Sequence, residues 1–234
     1  MSLPKLKAPV YEAILPSTEK VIKYRPFLVK EEKLLLLAME TEKDDDMMRA
    51  VKQIINNCTF EKLVVDDLAL FDLEYVFLRI RSKSVGEIVN LKLLCEDDGE
   101  TYADVEVNLD EVGVDYPEGH SNKIELDENV GMLMQYPQFE TALGMNSDSD
   151  TENIFTMIKR SIKQIYDGDT LHERTDFNDK ELDAFIESLS TAHFQKLQAF
   201  FETMPRVRHE VKFKNPKTKK NNTVTLEGLN AFFV

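Results

Sequence analysis

A chain of 234 residues with 43 acidic against 29 basic side chains, and so a formal charge of −14, is a poor partner for free nucleic acid, whose binding needs basic surface to displace counterions. The 42% hydrophobic content is enough for a packed core, yet no apolar run approaches the roughly 20 residues that cross a bilayer, so no membrane span is expected. Two cysteines, Cys58 and Cys95, cannot build a disulfide framework, and the opening MSLPKLKAPV lacks the apolar centre of a signal peptide; the expectation is an intracellular chain.

Residues 10–15 and 21–27, around Pro16-Ser17-Thr18, read as a β-hairpin, with Pro26 ending its second strand or marking an edge. Residues 31–40 then read as a short, strongly apolar helix. Residues 44–56 predict a second, with Met47, Val51, Ile54 and Ile55 on one face at the 3.6-residue period. A third is predicted over 70–84, where Leu70, Leu73, Val76, Phe77 and Ile80 form an apolar stripe. Asp72 and Glu74 in its first turns and Arg79, Arg81 and Lys83 in its last complement the helix dipole, and Gly86 is a natural stop.

After Gly86 the period changes from 3.6 to 2. Residues 88–93 and 102–107 alternate as half-buried strands do, about a tip at 96–100 that holds Gly99. Residues 123–126 and 131–136 add two more strands, and 146–150 form a polar boundary loop. Helix resumes over 152–166, with Ile154, Phe155, Ile158, Ile162 and Ile165 as its expected buried face. Asn178 with Glu181 makes a capping box that opens 179–189. Ser190 caps a further helix carrying Phe194, Leu197, Phe200 and Phe201, which Pro205 ends. Strands at 207–213 and 223–226 close the chain as another hairpin, followed by Gly228 and Phe232-Phe233-Val234. The order implies an α+β fold: a mostly helical body with small antiparallel β-hairpins, degenerate zinc-ribbon-like, in the middle and at the C-terminus. The changes of period divide the chain into 1–86, 87–145 and 146–234.

Motifs that carry chemistry are absent. With eight glycines there is no GxGxxG, GxxxxGK[ST] or GxSxG. His120, His172, His193 and His209 are isolated, with no HExxH among them. Asp148, Asp150 and Glu152 alternate like calcium ligands but lack the central Gly and the final Glu of an EF-hand. A zinc ribbon needs CxxC at two hairpin tips; Cys95-Glu96-Asp97-Asp98 offers one cysteine and 215–221 none. No catalytic, cofactor or metal residue is therefore assigned. The charge is instead uneven, acidic over 96–128 and basic over 206–220, which can steer assembly between complementary surfaces.

Leu70-Phe71-Asp72-Leu73-Glu74-Tyr75-Val76-Phe77-Leu78-Arg79-Ile80-Arg81-Ser82-Lys83-Ser84-Val85-Gly86 resembles the signature helix of the T4-type phage baseplate hub family. Leu3-Pro4-Lys5-Leu6, Tyr24-Arg25-Pro26-Phe27-Leu28-Val29-Lys30-Glu31-Glu32-Lys33 and Leu226-Glu227-Gly228-Leu229-Asn230-Ala231-Phe232-Phe233 resemble that family's opening and ending. The resemblance implies a non-enzymatic component that helps assemble the central hub of a contractile-tailed phage baseplate, as a hub subunit or as an assembly catalyst (chaperone). It implies other hub and tail proteins as partners, admits homo-oligomerisation, and places the chain in the host cytoplasm during assembly or in the virion baseplate. Arg79, Arg81 and Lys83, set to meet an acidic surface, and Phe232 and Phe233 are the candidate partner contacts. Two other readings stay open: a divergent metal-dependent enzyme using the abundant carboxylates and histidines, and a general intracellular interaction adaptor.

Overall fold

The computed structural model describes residues 7–41, 43–139, 141 and 149–232. Expectations resting on 3–6, on 146–148 and on Phe233 and Val234 fall outside those residues.

In chain order the described elements are β1 (Tyr11–Ile14), β2 (Val21–Tyr24), α1 (Val29–Glu40), α2 (Asp44–Cys58), α3 (Leu70–Val85), β3 (Ile88–Leu94), β4 (Tyr102–Asn108), β5 (Gly113–Asp115), β6 (Lys123–Glu125), β7 (Val130–Met134), α4 (Asp150–Ser161), β8 (Ile162–Asp167), β9 (Thr170–Glu173), α5 (Asp179–Glu187), α6 (Thr191–Thr203), β10 (Arg206–Lys214) and β11 (Asn221–Glu227). Helix makes up 40% and strand 29%, so the body is mixed, not mostly helical as the sequence implied, while the sheets are small and antiparallel as expected. They form two compact units, one from Met1–Asp115 with Arg206–Val234 and one from Tyr116–Pro205.

In the first unit α3 is buried on most of its circumference. Leu73, Phe77 and Ile80 have no exposed area, and Phe71, Val76 and Leu78 add apolar side chains beyond a single stripe. Each such side chain contributes roughly 1.5–3 kcal/mol of burial. Helix α2 turns Ala50, Val51, Ile54, Ile55 and Cys58 into the same core. The β3–β4 hairpin pairs Ile88 with Asn108 through Leu94 with Tyr102, and buries Val89, Leu91, Ala103 and Val107 from alternate positions. β10 is the middle strand of a β11-β10-β5 sheet, whereas β1 and β2 pair only with each other.

The second unit is a β6-β7-β8-β9 meander with α4, α5 and α6. Its core joins Ile124, Met132, Met134, Ile158, Ile162, Leu182, Leu197 and Phe200. Gly131 is required in β7, because a Cβ there would run into the Tyr166 hydroxyl and the Ile124 carbonyl. The expected capping box is present: Asn178 accepts from the Lys180 and Glu181 N–H groups, and Glu181 accepts from Asn178 N–H. Ser190 accepts from His193 N–H, 3.2 Å away, at the start of α6.

The helix expected over 152–166 is corrected. It ends at Ser161, and 162–167 is strand β8, between β7 and β9. The β7–β8 register runs from Leu133↔Gln164 to Met134↔Ile162, so Lys163 is an extra residue in a bulge. The bulge puts Ile162 and Ile165 on one face at a spacing of three, which in the sequence is indistinguishable from a helical period. Of the rest of the expected face, Ile158 is buried while Ile154 and Phe155 are exposed.

Candidate functional site

Helix α3 carries three of the candidate contacts, and two of them grip the loop after β4. The Arg79 guanidinium donates to the carbonyls of Leu109 (3.2 Å), Asp110 (2.9 Å) and Val112, and lies over the Tyr75 ring, 4.6 Å from its centroid. Lys83 Nζ lies 2.6 Å from Asp110 Oδ2 and 3.6 Å from Glu87, and Ser82 Oγ donates to Asp110 Oδ1. The hydrogen bonds from Lys83 and Ser82 hold the Asp110 carboxyl below its ordinary pKa, and the bond to Asp110 raises that of Lys83. The acid that meets Arg79 and Lys83 in this structure is thus supplied by the chain's own loop.

Arg81 points elsewhere, as its helical position requires. It lines a cavity of about 250 Å³ with Val85, Val89, Leu91 and Phe232, and burial lowers its pKa. Phe232 has no exposed area and is docked inside its own unit. Phe233 lies outside the described residues.

The two acids near the start of α3 do more than complement its dipole. Asp72 is fully buried and accepts from Ser17 N–H (2.9 Å) and Ser17 Oγ, which ties down the β1–β2 turn. Burial raises its pKa against those two bonds. Glu74 accepts from Leu229 N–H (3.3 Å), just beyond β11, and burial pushes its carboxyl up to about 7. The β1–β2 turn and the segment just after β11 are therefore both anchored on α3. A second anchor at the start is Glu31, 1% exposed, which receives Arg25 Nη2 at 3.0 Å, Leu28 N–H at 2.9 Å and Lys30 Nζ at 3.2 Å. Burial pushes its pKa up, but these bonds together outweigh it and leave the pKa lowered.

The tips of the β3–β4 and β10–β11 hairpins meet through a polar clasp. Buried Asn215 donates from Nδ2 to Asp97 (2.8 Å) and Asp98 (3.0 Å), Asn222 donates to Asp97 (2.8 Å), and Thr218 Oγ1 also donates to Asp97. The zinc-ribbon-like description is not supported. Among the described residues no group of three or more His, Cys, Asp and Glu is arranged to hold a metal ion, and neutral amide and hydroxyl donors fill the space between the tips. The histidines do not converge either. His120 stacks on Tyr136 with its Nδ1 3.0 Å from Thr203 Oγ1, while His172 lies on β9, His193 in the first turn of α6 and His209 on β10.

A surface that the sequence did not single out lies beside β2. A groove of about 490 Å³ is lined by Val10, Val21, Ile22, Lys23, Thr59, Phe60, Lys62 and Leu63. Val10, Val21 and Phe60 are 55%, 61% and 42% exposed, which is unusual for neighbouring large apolar side chains. The sequence signal was present in part: Val10, Glu12, Ile14, Val21 and Lys23 share one face of the hairpin by alternation, and that face is not all polar.

No described helix is long and apolar enough to cross a membrane. A protein-family model described as "T4 bacteriophage base plate protein" matches residues 8–234. No curated protein and no solved structure matches the chain.

Proposed function

Because the chain belongs to the T4 bacteriophage base plate protein family, whose role is structural or in assembly, we propose that it acts without catalysis, by protein–protein contact, in building the central hub of the baseplate of a contractile-tailed phage. The observation that carries this is the extent of the family match. It runs from residue 8 to residue 234 and spans both compact units, rather than a single amphipathic helix. Apolar side chains left exposed on the first unit, Leu36, Leu37 and Met39 on α1 as well as the groove beside β2, support a chain that completes its surface against partners.

The partners on this reading are other hub and tail proteins, and the site of action is the host cytoplasm during assembly or the finished baseplate. Arg79 and Lys83 serve mainly to hold the 109–112 loop. Arg81, which lines its own cavity with Phe232, stays a candidate partner contact on this reading. Co-purification of the full chain with baseplate intermediates tests the reading, and a monomer that captures none of the tail proteins contradicts it. Mass spectrometry of intact particles beside intermediates separates a permanent subunit, present in both, from an assembly catalyst, present only in intermediates.

A further inference from the structure

We propose that the outer edge of β2 is a strand-acceptor site, which takes an extended, alternately apolar and acidic segment of another baseplate protein into the groove against Phe60. The proposal rests on the baseplate reading for the source of the partner; the geometry of the site does not depend on it.

The register defines the edge. Leu15 N–H bonds Lys20 C=O at the turn, so the hydrogen-bonded pairs that follow are Ala13↔Ile22 and Tyr11↔Tyr24. In an antiparallel pair the residues between turn their N–H and C=O outward. Those residues are Val21 and Lys23, and Arg25 continues the series. Arg25 N–H bonds the Cys58 carbonyl at 2.9 Å, which shows that this edge faces the loop after α2. Among the described residues Val21 and Lys23 have no backbone partner on that side, and β2 has no strand neighbour except β1. Their two donors and two acceptors face the groove, the arrangement that recruits an added strand.

The opposite wall is held in an uncommon conformation. Phe60 and Glu61 are consecutive non-glycine residues with φ of 62° and 57°. They form the left-handed stop that ends α2, closed by Glu61 N–H on the Asn56 carbonyl at 2.9 Å, with Phe60 where glycine is usual. Here the turn keeps Phe60 at the groove instead of in the core. The lining fixes the partner's chemistry. Val10, Val21 and Phe60 offer apolar contact to alternate side chains of an added strand. The charged lining residues are Lys23 and Lys62, with no carboxylate among them, on a chain whose net charge is −14. Lys23 is shared with Glu12 at 3.3 Å, while Lys62 makes no ion pair among the described residues. Charge complementarity therefore favours an acidic segment. A second copy of this chain is the less suited occupant, because its own alternating acidic stretch, Ala103-Asp104-Val105-Glu106-Val107, is already paired in β4.

The test places the photo-cross-linker p-benzoylphenylalanine at position 60 of the full chain, activates it in purified baseplate intermediates, and sequences the joined peptide by mass spectrometry. The proposal expects an acidic, apolar-alternating segment of another tail protein, with yield lowered at least tenfold by Lys62→Glu. Val21→Pro, which removes one outward N–H, is expected to lower it similarly. A joined peptide from a second copy, a basic segment, or no adduct while the chain still co-purifies with tail proteins would overturn the site and leave the baseplate reading standing. Loss of all co-purification by the unmodified chain would overturn that reading, and the partner assignment with it. Lys62→Glu lies on an exposed loop and keeps the test decisive if Val21→Pro fails to fold.

Discussion

In Leu15-Pro16-Ser17-Thr18-Glu19-Lys20 and Asn215-Pro216-Lys217-Thr218-Lys219-Lys220 the chain makes the same turn twice, with proline second, threonine fourth and a residue of positive φ fifth, 56° at Glu19 and 64° at Lys219. Both turns close with the first residue's N–H on the sixth residue's carbonyl and the fifth residue's N–H on the first residue's carbonyl. Their settings differ. The C-terminal hairpin contributes the middle strand of a three-stranded sheet, and its turn is clasped to a second hairpin tip. The N-terminal hairpin is fixed through its turn to Asp72 and through Arg25 to Cys58, and the edge between these two points is left open. A turn is local chemistry and repeats wherever its residues do. What the strand edges meet is decided by the rest of the fold, and there the two hairpins take up different work.

The largest expected effects come from the deep anchor at each end. Phe232→Ala should cost about 3–5 kcal/mol, since it empties a fully buried aromatic site. Arg25→Met should cost a similar ~3–5 kcal/mol by leaving Glu31 buried without its main partner. Urea titration measures both, and near-wild-type stability for either would break the symmetry of the two anchors.

Next comes the pH dependence of the C-terminal anchor. Glu74 has a folded pKa of about 7 against an ordinary 4.5, so between those values the folded chain holds the extra proton. Stability from this group is therefore greatest at low pH and falls as pH rises through that window. Glu74→Gln keeps an acceptor for Leu229 N–H and removes the charge. It should be roughly 2–3 kcal/mol more stable than the parent at pH 8 and indistinguishable at pH 4.5, by denaturant titration at both.

Smaller effects separate the two turns. Ser17→Ala removes a hydroxyl donor from a buried carboxylate and should cost about 1–2 kcal/mol. Thr218→Val removes a donor at an exposed tip, where water replaces it, and should change the melting free energy by no more than about 0.5 kcal/mol. Equal costs would show that the two turns are held equally. The smallest stability change, within about 0.5 kcal/mol, is expected from Lys62→Glu, whose consequence should appear in assembly instead.

Much of the local structure was legible in the sequence. The apolar stripes gave α2 and α3, alternation gave β3 and β4, and Asn178 with Glu181 and Ser190 gave two helix starts that the structure contains. Other features were hidden for physical reasons. The bulge at Lys163 disguised β8 as helix. The β8–β9 hairpin turns on Asp167-Gly168, with Gly168 at φ 56°, a short signal masked by the helix-like spacing of the isoleucines before it. The first unit gathers both ends of the chain, a long-range pairing that no local period encodes. At the candidate contacts, charge pattern identified Arg79 and Lys83 as residues that seek an acid. It carried no information that Asp110 of the same chain would supply one. Nor could it show that Asp72 and Glu74, placed as a helix dipole prefers, would anchor the two hairpins.

Amide hydrogen exchange tests the central contrast most directly, read on the isolated chain and on the chain within purified baseplate intermediates. Val21 and Lys23 are expected to exchange rapidly in the isolated chain and to become strongly protected in the assembly, while the paired amides of β10 and β11 are slow in both. Fast exchange at Val21 and Lys23 in the assembled baseplate would contradict that contrast.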